Sequence, residues 1–423
     1  MNRPNLHLEE VSLFELENDP IFETDLVSLY PYEKQNRIIK SRFYNLLSNF
    51  EEMDHLLNRF YITEFGRLVL NKEYDSMEIF YRDGGRNAIL PKYKIIINDE
   101  EFFISKRGVG GYHSLLNVTS HTQRVRNAIN KLLSKGIEKN LLFSSEDMGY
   151  DRPFGFQDLG LGRLELQNSN RLKNDFTFYN AFFAPVISLV YIPKEVKNVA
   201  YEIRLFEKIF DSSKKPLPKK RFKPVQLTRL VPSNIRPVSL YDKTLADELG
   251  LPFVDDGKKF REKYNLENSY DAKRFIKNFI SSYAALLSLP ARVDCSEEKD
   301  YYSFFVFDNV LISKDSVISK SGNLYFLDLE GVNLFRESPF IYLSRKEARK
   351  EMMGQIKMNL LPLKFFDRLF SFVLDENIDK EQSIYYLRKY FNLKQNAISI
   401  IDEKKPMIYV NGLYDIEIII ELK

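Results

Sequence analysis

Apolar residues recur at helical spacing through Gln35 to Phe60 (Ile38, Ile39, Phe43, Leu46, Leu47 and Phe50) with charges between them, which predicts an amphipathic helix, with a second helix following or continuing it through Leu56. The pattern then changes. Met77 to Tyr81, Tyr93 to Ile97 and Glu101 to Ser105 read as extended segments separated by turn-like Asp83-Gly84-Gly85 and Asn98-Asp99-Glu100, so a small antiparallel sheet is expected. Tyr179 to Pro193 is the longest apolar stretch; it is shorter than the ~20 residues a bilayer span needs and is broken by Pro185. It reads as the end of a helix running into a buried strand. Helical periodicity dominates the back half, over Asp271 to Leu289, Arg345 to Asn359, Leu363 to Leu374 and Lys380 to Phe391. Tyr302 to Ile312 and Leu324 to Val332 are strand-like around a turn at Ser321-Gly322-Asn323, and Tyr414 to Leu422 resembles a closing strand. The pattern as a whole is α+β, with a sheet in the first half and helices in the second.

Composition narrows the function classes. A chain of 423 residues accommodates one large bilobal domain or two ordinary ones, and 44% hydrophobic with 14% aromatic residues supplies a core. With 62 basic against 59 acidic side chains, net charge +3, the whole-chain field does not favour polyanions. The basic run Lys214 to Lys223 lacks an aromatic ladder, so it reads as a solvated loop, and no nucleic-acid partner is expected. Cys295 is alone, which excludes an internal disulfide and a multi-cysteine zinc site. His7, His55, His113 and His121 are scattered without metal-ligand spacing. The first residues carry acids and lack an apolar core, so neither a secretory signal nor a transit peptide is read there; the expectation is a cytoplasmic protein with no membrane partner.

The candidate chemistry lies in oxygen ligands and fixed positive charges. Asn309 and Asp328 stand nineteen residues apart on two strand-like segments, which is how a kinase-like fold presents two ligands for magnesium. Protein kinases carry a proton-accepting aspartate five positions before the asparagine; here that position is Phe304, and Asp308 becomes the candidate base. The alternative for Asp308 is a turn residue capping its own backbone. The glycines after Lys106 let a backbone approach phosphate while the lysine supplies a point charge. Arg86, behind Gly84-Gly85, and the pair Arg229 and Arg236 offer forked hydrogen bonds suited to phosphate oxygens. A surface carboxylate explains each arginine alone better; only the three together with Lys106 raise the case for a triphosphate site.

Three segments together resemble the selenoprotein O family of pseudokinases, which act as protein adenylyltransferases: TRLVPSNIRP, the DGGRNA turn with Lys106 twenty residues beyond Arg86, and the Asp308-Asn309 pair ahead of Asp328. The likeness runs from about Arg82 to Val332. It implies a protein-kinase-like bilobal fold over residues 1–423, with helices and a nucleotide-binding lobe in 1–225 and a helical lobe carrying the metal site in 226–423. It also implies a flipped ATP, so that AMP passes to Ser, Thr or Tyr hydroxyls of partner proteins. On this resemblance Lys106 holds phosphate, as do Arg86 with Gly84 and Gly85, and Arg229 and Arg236. Gly162 marks a nucleotide contact, Asp308 is the base, and Asn309 and Asp328 hold Mg²⁺ or Mn²⁺. The acid that pairs with Lys106 is Glu165 or Asp175. The family's GDGR turn is DGGR here, and residues 138–160 look inserted. Two alternatives stand beside this reading: a true kinase with a displaced base, and a catalytically inactive nucleotide-binding scaffold.

Overall fold

The computed structural model of the protein describes residues 6–12, 26–32, 37–63, 78–82, 87–109, 157–178, 180–191, 196–197, 221–222, 224–248, 251, 253–289, 301–302, 311–329, 343–344, 358–391, 398–399, 407–409 and 417–421. Ten strands form one curled antiparallel sheet. They are β1 (Leu6–Glu10), β2 (Leu26–Tyr32), β3 (Arg37–Lys40), β4 (Phe60–Ile62), β5 (Glu78–Arg82), β6 (Asn87–Ile97), β7 (Glu100–Arg107), β8 (Gln157–Asp158), β11 (Val186–Tyr191) and β14 (Pro224–Val231); between them in the chain come β9 (Thr177–Phe178), β10 (Ala181–Phe183) and the pair β12 (Val196–Lys197) and β13 (Arg221–Phe222). The order is β3-β11-β14-β7-β6-β5-β2-β4, with β1 on β6 and β8 on β14. β6 and β7 are joined by the left-handed pair Asn98 and Asp99, a conformation these residues tolerate better than most. The β6 register against β7 shifts between Leu90 and Ile95, around Pro91, which has no N–H to give a ladder. That bulge lets one long strand serve β5 with its first half and β1 with its second.

The sheet is larger than the sequence pattern suggested, and two segments differ from expectation. In Gln35 to Phe60 the expected second helix is present, but the first is not a long helix. The segment holds β3, a single turn α1 (Tyr44–Leu47) and α2 (Glu51–Asn58), because the Ile38-Ile39 pair is taken up by pairing with β11. Tyr179 to Pro193 contains no helix end among its described residues; Pro185 separates β10 from β11, and the helix that precedes them, α3 (Leu159–Ser169), stops ten residues earlier. β14 lies deep in the sheet, so the sheet-bearing part of the chain runs on to Val231.

Beyond Val231 the described residues are mostly helical: α4 (Lys243–Glu248), α5 (Gly257–Tyr264), α6 (Ser269–Ser288), the short α7 (Ile312–Asp315), α8 (Phe366–Leu374) and α9 (Lys380–Phe391). The helices at 271–289, 363–374 and 380–391 are where the periodicity puts them; most of 345–359 lies outside the described residues. Asn268 caps α6 by accepting from Asp271 N–H, and Asp256 caps α5 through Lys258 and Lys259 N–H. Edge-to-face rings tie the helices together, Phe275 on Phe260 and Tyr264, and Phe366 on Phe279 and Tyr283.

A hairpin links sheet and helices. β16 (Ser316–Ile318) and β17 (Leu324–Phe326) follow β15 (Tyr301–Tyr302) in the chain and turn through Ser321-Gly322-Asn323, as the sequence indicated. Gly322 has φ +91°, and a Cβ there would sit 2.5 Å from Phe275 O of α6, so the turn requires glycine. Ser282 Oγ accepts from Leu324 N–H and Asn278 donates to Ser321 O, which clamps the hairpin on α6. From the sheet side Glu100 accepts from Ser319, Ser321 and Asn323, and Glu101 pairs with Lys320 at 2.8 Å.

Candidate functional site

Strand alternation on β7 sends Lys106 and Arg107 to opposite faces of the sheet. Lys106 lies opposite Thr228 of β14 and Ala88 of β6. Its ammonium donates to Thr228 Oγ1 at 2.9 Å, Leu56 O at 2.5 Å and Arg59 O at 3.2 Å, and lies 5.5 Å from the Tyr61 ring centre. Leu56 O is one of the end carbonyls of α2, so the lysine caps that helix where a cation suits its dipole. Burial lowers the Lys106 pKa to about 7; the Glu78 charge opposes the shift and Arg59 adds to it.

The structure places Lys106 on the face of β7 away from Arg107 and Asp328, and neither candidate acid pairs with it. Asp175 accepts from Thr177, and Glu165 belongs to its neighbour. Arg107, on the other face, takes the position expected of the lysine: Nη1 is 2.9 Å from Asp328 Oδ1 and 3.5 Å from Glu165 Oε1. Its side chain is 5% exposed, that of Glu165 is wholly buried, and that of Asp328 is 25% exposed, so the chain of charges opens at its aspartate end.

Glu165 is held by more than Arg107. Arg229 of β14 donates to Oε2, and Gln157 of β8 to Oε1 at 3.2 Å. One buried carboxylate thus joins three strands to a helix, with charge-assisted bonds reaching both of its oxygens. α3 reaches this position because Gly162 allows close approach: a Cβ there would lie 2.8 Å from Leu189 Cδ1 and 2.9 Å from Val225 Cγ2. Gly162, which the resemblance offered as a nucleotide contact, packs α3 against β11 and β14.

Arg229 and Arg236 are also turned inward. Arg229 faces Glu165, and Arg236 donates to Lys314 O at 2.8 Å. The segment between them runs beside β16, with Ser233 Oγ donating to Ile318 O and Ile318 N–H to Ile235 O. The TRLVPSNIR stretch therefore works as a strap between the sheet and the hairpin. It brings no free pair of guanidinium groups to a triphosphate.

Asp328 follows β17, and the next residue is anchored when Asn168 of α3 donates to Leu329 O at 2.8 Å. Across the hairpin stands Asp315, whose main-chain O accepts from Leu327 N–H at 2.8 Å. Burial pushes the Asp315 carboxyl up to about 6; Lys314 opposes this, Asp328 adds to it, and Arg236 and the Leu311 amide pull it down. Asp308, Asn309, Gly84, Gly85 and Arg86 lie outside the described residues. Among the described residues no group of three or more His, Cys, Asp or Glu side chains converges. The Asp328 carboxylate is a hard oxygen donor of the kind magnesium and manganese accept, and it already holds the Arg107 guanidinium.

Sequence reasoning missed Arg107 and Gln157. No periodicity marks Arg107, because β7 is buried on both faces and its pattern does not alternate. No helix among the described residues is long and apolar enough to cross a membrane. Comparison with models of known protein families and with curated protein sequences finds no match.

Proposed function

We propose that the chain is an ATP-dependent transferase on a kinase-like bilobal fold, with Mg²⁺ or Mn²⁺ as cofactor and a protein hydroxyl as acceptor. The observation that carries this reading is the Arg107–Glu165–Asp328 chain: a strand cation paired to a helix glutamate and reaching the aspartate behind a β-hairpin. Protein kinases need the same three parts, with lysine as the strand cation, a helix glutamate to hold it and a metal-binding aspartate. The element order supports it too, since α3 lies between β7 and β11 and the hairpin follows the long helix α6.

In this reading Glu165 orients Arg107, whose guanidinium binds phosphate oxygens in a fork and stabilises charge that builds on them during transfer. Asp328 holds the metal ion, which when bound screens the phosphates and fixes their orientation. Asp308 accepts the proton of the acceptor hydroxyl. γ-Phosphate transfer is favoured over AMP transfer because Arg229 and Arg236 are committed to Glu165 and Lys314 O. AMP transfer is the second reading. It is supported by the seven-residue TR…IR spacing and the DGGR turn.

The test is label transfer from ATP traced at the α- or the γ-phosphate, to the chain itself and to an extract, with Asp328→Ala as control. γ-Label that vanishes in the variant is expected. α-Label with the same dependence moves the reading to adenylylation, and no transfer of either label makes the site a nucleotide-binding scaffold.

A further inference from the structure

Arg107 is the phosphate-binding cation of the reading above, yet in this structure its guanidinium is already taken by carboxylates. We propose that the Asp328 carboxylate is an internal competitor that covers Arg107 and has to be displaced before phosphate oxygens bind there; the inference rests on the transferase reading and adds an autoinhibitory contact to its site.

Arg107 Nη1 lies 2.9 Å from Asp328 Oδ1 and 3.5 Å from Glu165 Oε1. The two carboxylates differ in their freedom to leave. Glu165 is wholly buried and is also held by Arg229 and Gln157, so turning it away would strand two arginines in the interior. Asp328 is partly exposed and stands at the solvent end of the cluster. The main chain on either side of it is pinned, with Leu327 N–H donating to Asp315 O and Asn168 Nδ2 to Leu329 O, each at 2.8 Å. Exchange at Arg107 therefore calls for a turn of the Asp328 side chain and no movement of the hairpin.

Charge points the same way. Arg107 and Arg229 carry two positive charges and Glu165 and Asp328 two negative ones, so these four balance while Asp328 is in place. When it turns out, Arg107 keeps only its share of Glu165, and a buried guanidinium without a counter-ion is costly. An anion that presents two oxygens side by side relieves that cost by meeting the guanidinium fork, as phosphate does. The cluster is thus an anion site that holds its own occupant until a ligand arrives.

The test is ATP binding to the full chain in excess EDTA, read by isothermal titration calorimetry, so that no metal ion takes part. Asp328→Asn keeps the size of the side chain and removes its charge; it is expected to bind ATP about tenfold tighter than the wild type, the factor set by losing a charged hydrogen bond that competes for Arg107. The same change made in an Arg107→Met chain is expected to have no effect on ATP affinity. Phenylglyoxal gives a reading without ligand and needs Asp328→Asn alone: Arg107, followed by mass spectrometry, is expected to react faster in this variant than in the wild type, while Arg229 stays protected. Urea midpoints check that each variant folds. An Asp328→Asn chain that binds ATP no tighter than the wild type, or in which Arg107 is equally protected, overturns the inference and leaves the transferase reading standing. Equal tightening in the Arg107→Met chain does the same, because it shows general charge repulsion and no competition for Arg107. A wild type that binds no ATP even with Mg²⁺ overturns the transferase reading as well.

Discussion

Lys106 offers a test that reads electrostatics separately from packing. Its ammonium is wholly buried among neutral oxygens, and burial lowers its pKa from 10.5 to about 7. The unfolded chain therefore holds the proton more tightly than the folded one between those values, so stability rises with pH across that window and levels off above it. Integrated from pH 7 to pH 9, the two pKa values give roughly 2 kcal/mol of added stability from this one residue. The upper pH stays below the range where tyrosines titrate, which matters because Tyr61 is next to the lysine and is itself pushed up by burial. Urea denaturation of the wild type and of Lys106→Met at both pH values isolates the effect as a difference of differences. The variant also strands Leu56 O and Arg59 O, so its absolute stability falls, by about 1–3 kcal/mol for each buried group left unpaired. That loss is the same at both pH values and cancels. A wild type and variant with equal pH dependence refute the claim that Lys106 is held in a desolvated site, and with it the assignment of Lys106 to structure.

The buried Glu165 cluster makes a second prediction: Glu165→Ala leaves Arg107 and Arg229 without their shared carboxylate and is expected to cost about 3–5 kcal/mol by urea denaturation. Glu165→Met with Arg229→Met is expected to lose less than Glu165→Ala alone, because removing both ends of the Arg229 pair leaves no orphaned charge at β14. Gly322→Ala combines a left-handed φ with a clash against Phe275 O and is expected to destabilise by roughly 1–3 kcal/mol, read as a lower melting temperature.

Helix periodicity was legible wherever a helix packs one face on the core, as in α6 and α9, because the 3.6-residue stripe is written in the side chains. It failed at Gln35 to Phe60, where Ile38 and Ile39 satisfy a helical template and a strand template equally; pairing with β11 decides between them. The turn at Ser321-Gly322-Asn323 was legible from composition, yet its reason, the approach of Phe275 O, is a tertiary contact no local pattern contains.

The candidate site divides along the same line. Asp328 was a candidate from the sequence, and Glu165 was one of two acids, with Asp175, offered as the partner of Lys106; the structure pairs Asp328 and Glu165 with Arg107 instead. The choice between Lys106 and Arg107 could not be read there. β7 is covered on both faces, with α2 on one and α3 on the other, so its burial does not alternate and gives no parity. Residue chemistry then favoured lysine, the usual strand cation, while the fold gives lysine the carbonyls at the end of α2 and arginine the carboxylates. That division has a physical basis: three neutral acceptors suit the three donors of an ammonium, whereas two carboxylates on different elements suit the fork of a guanidinium. A chain that exchanged the two residues is expected to satisfy neither face, because a guanidinium is too broad for the Leu56, Arg59 and Thr228 acceptors and a lysine supplies only a point charge to span Glu165 and Asp328. Lys106→Arg with Arg107→Lys, measured by urea denaturation and Mn²⁺ binding together, is therefore expected to lose stability and to alter metal affinity. An exchange that left both unchanged would show that the two faces of β7 do not discriminate between the cations.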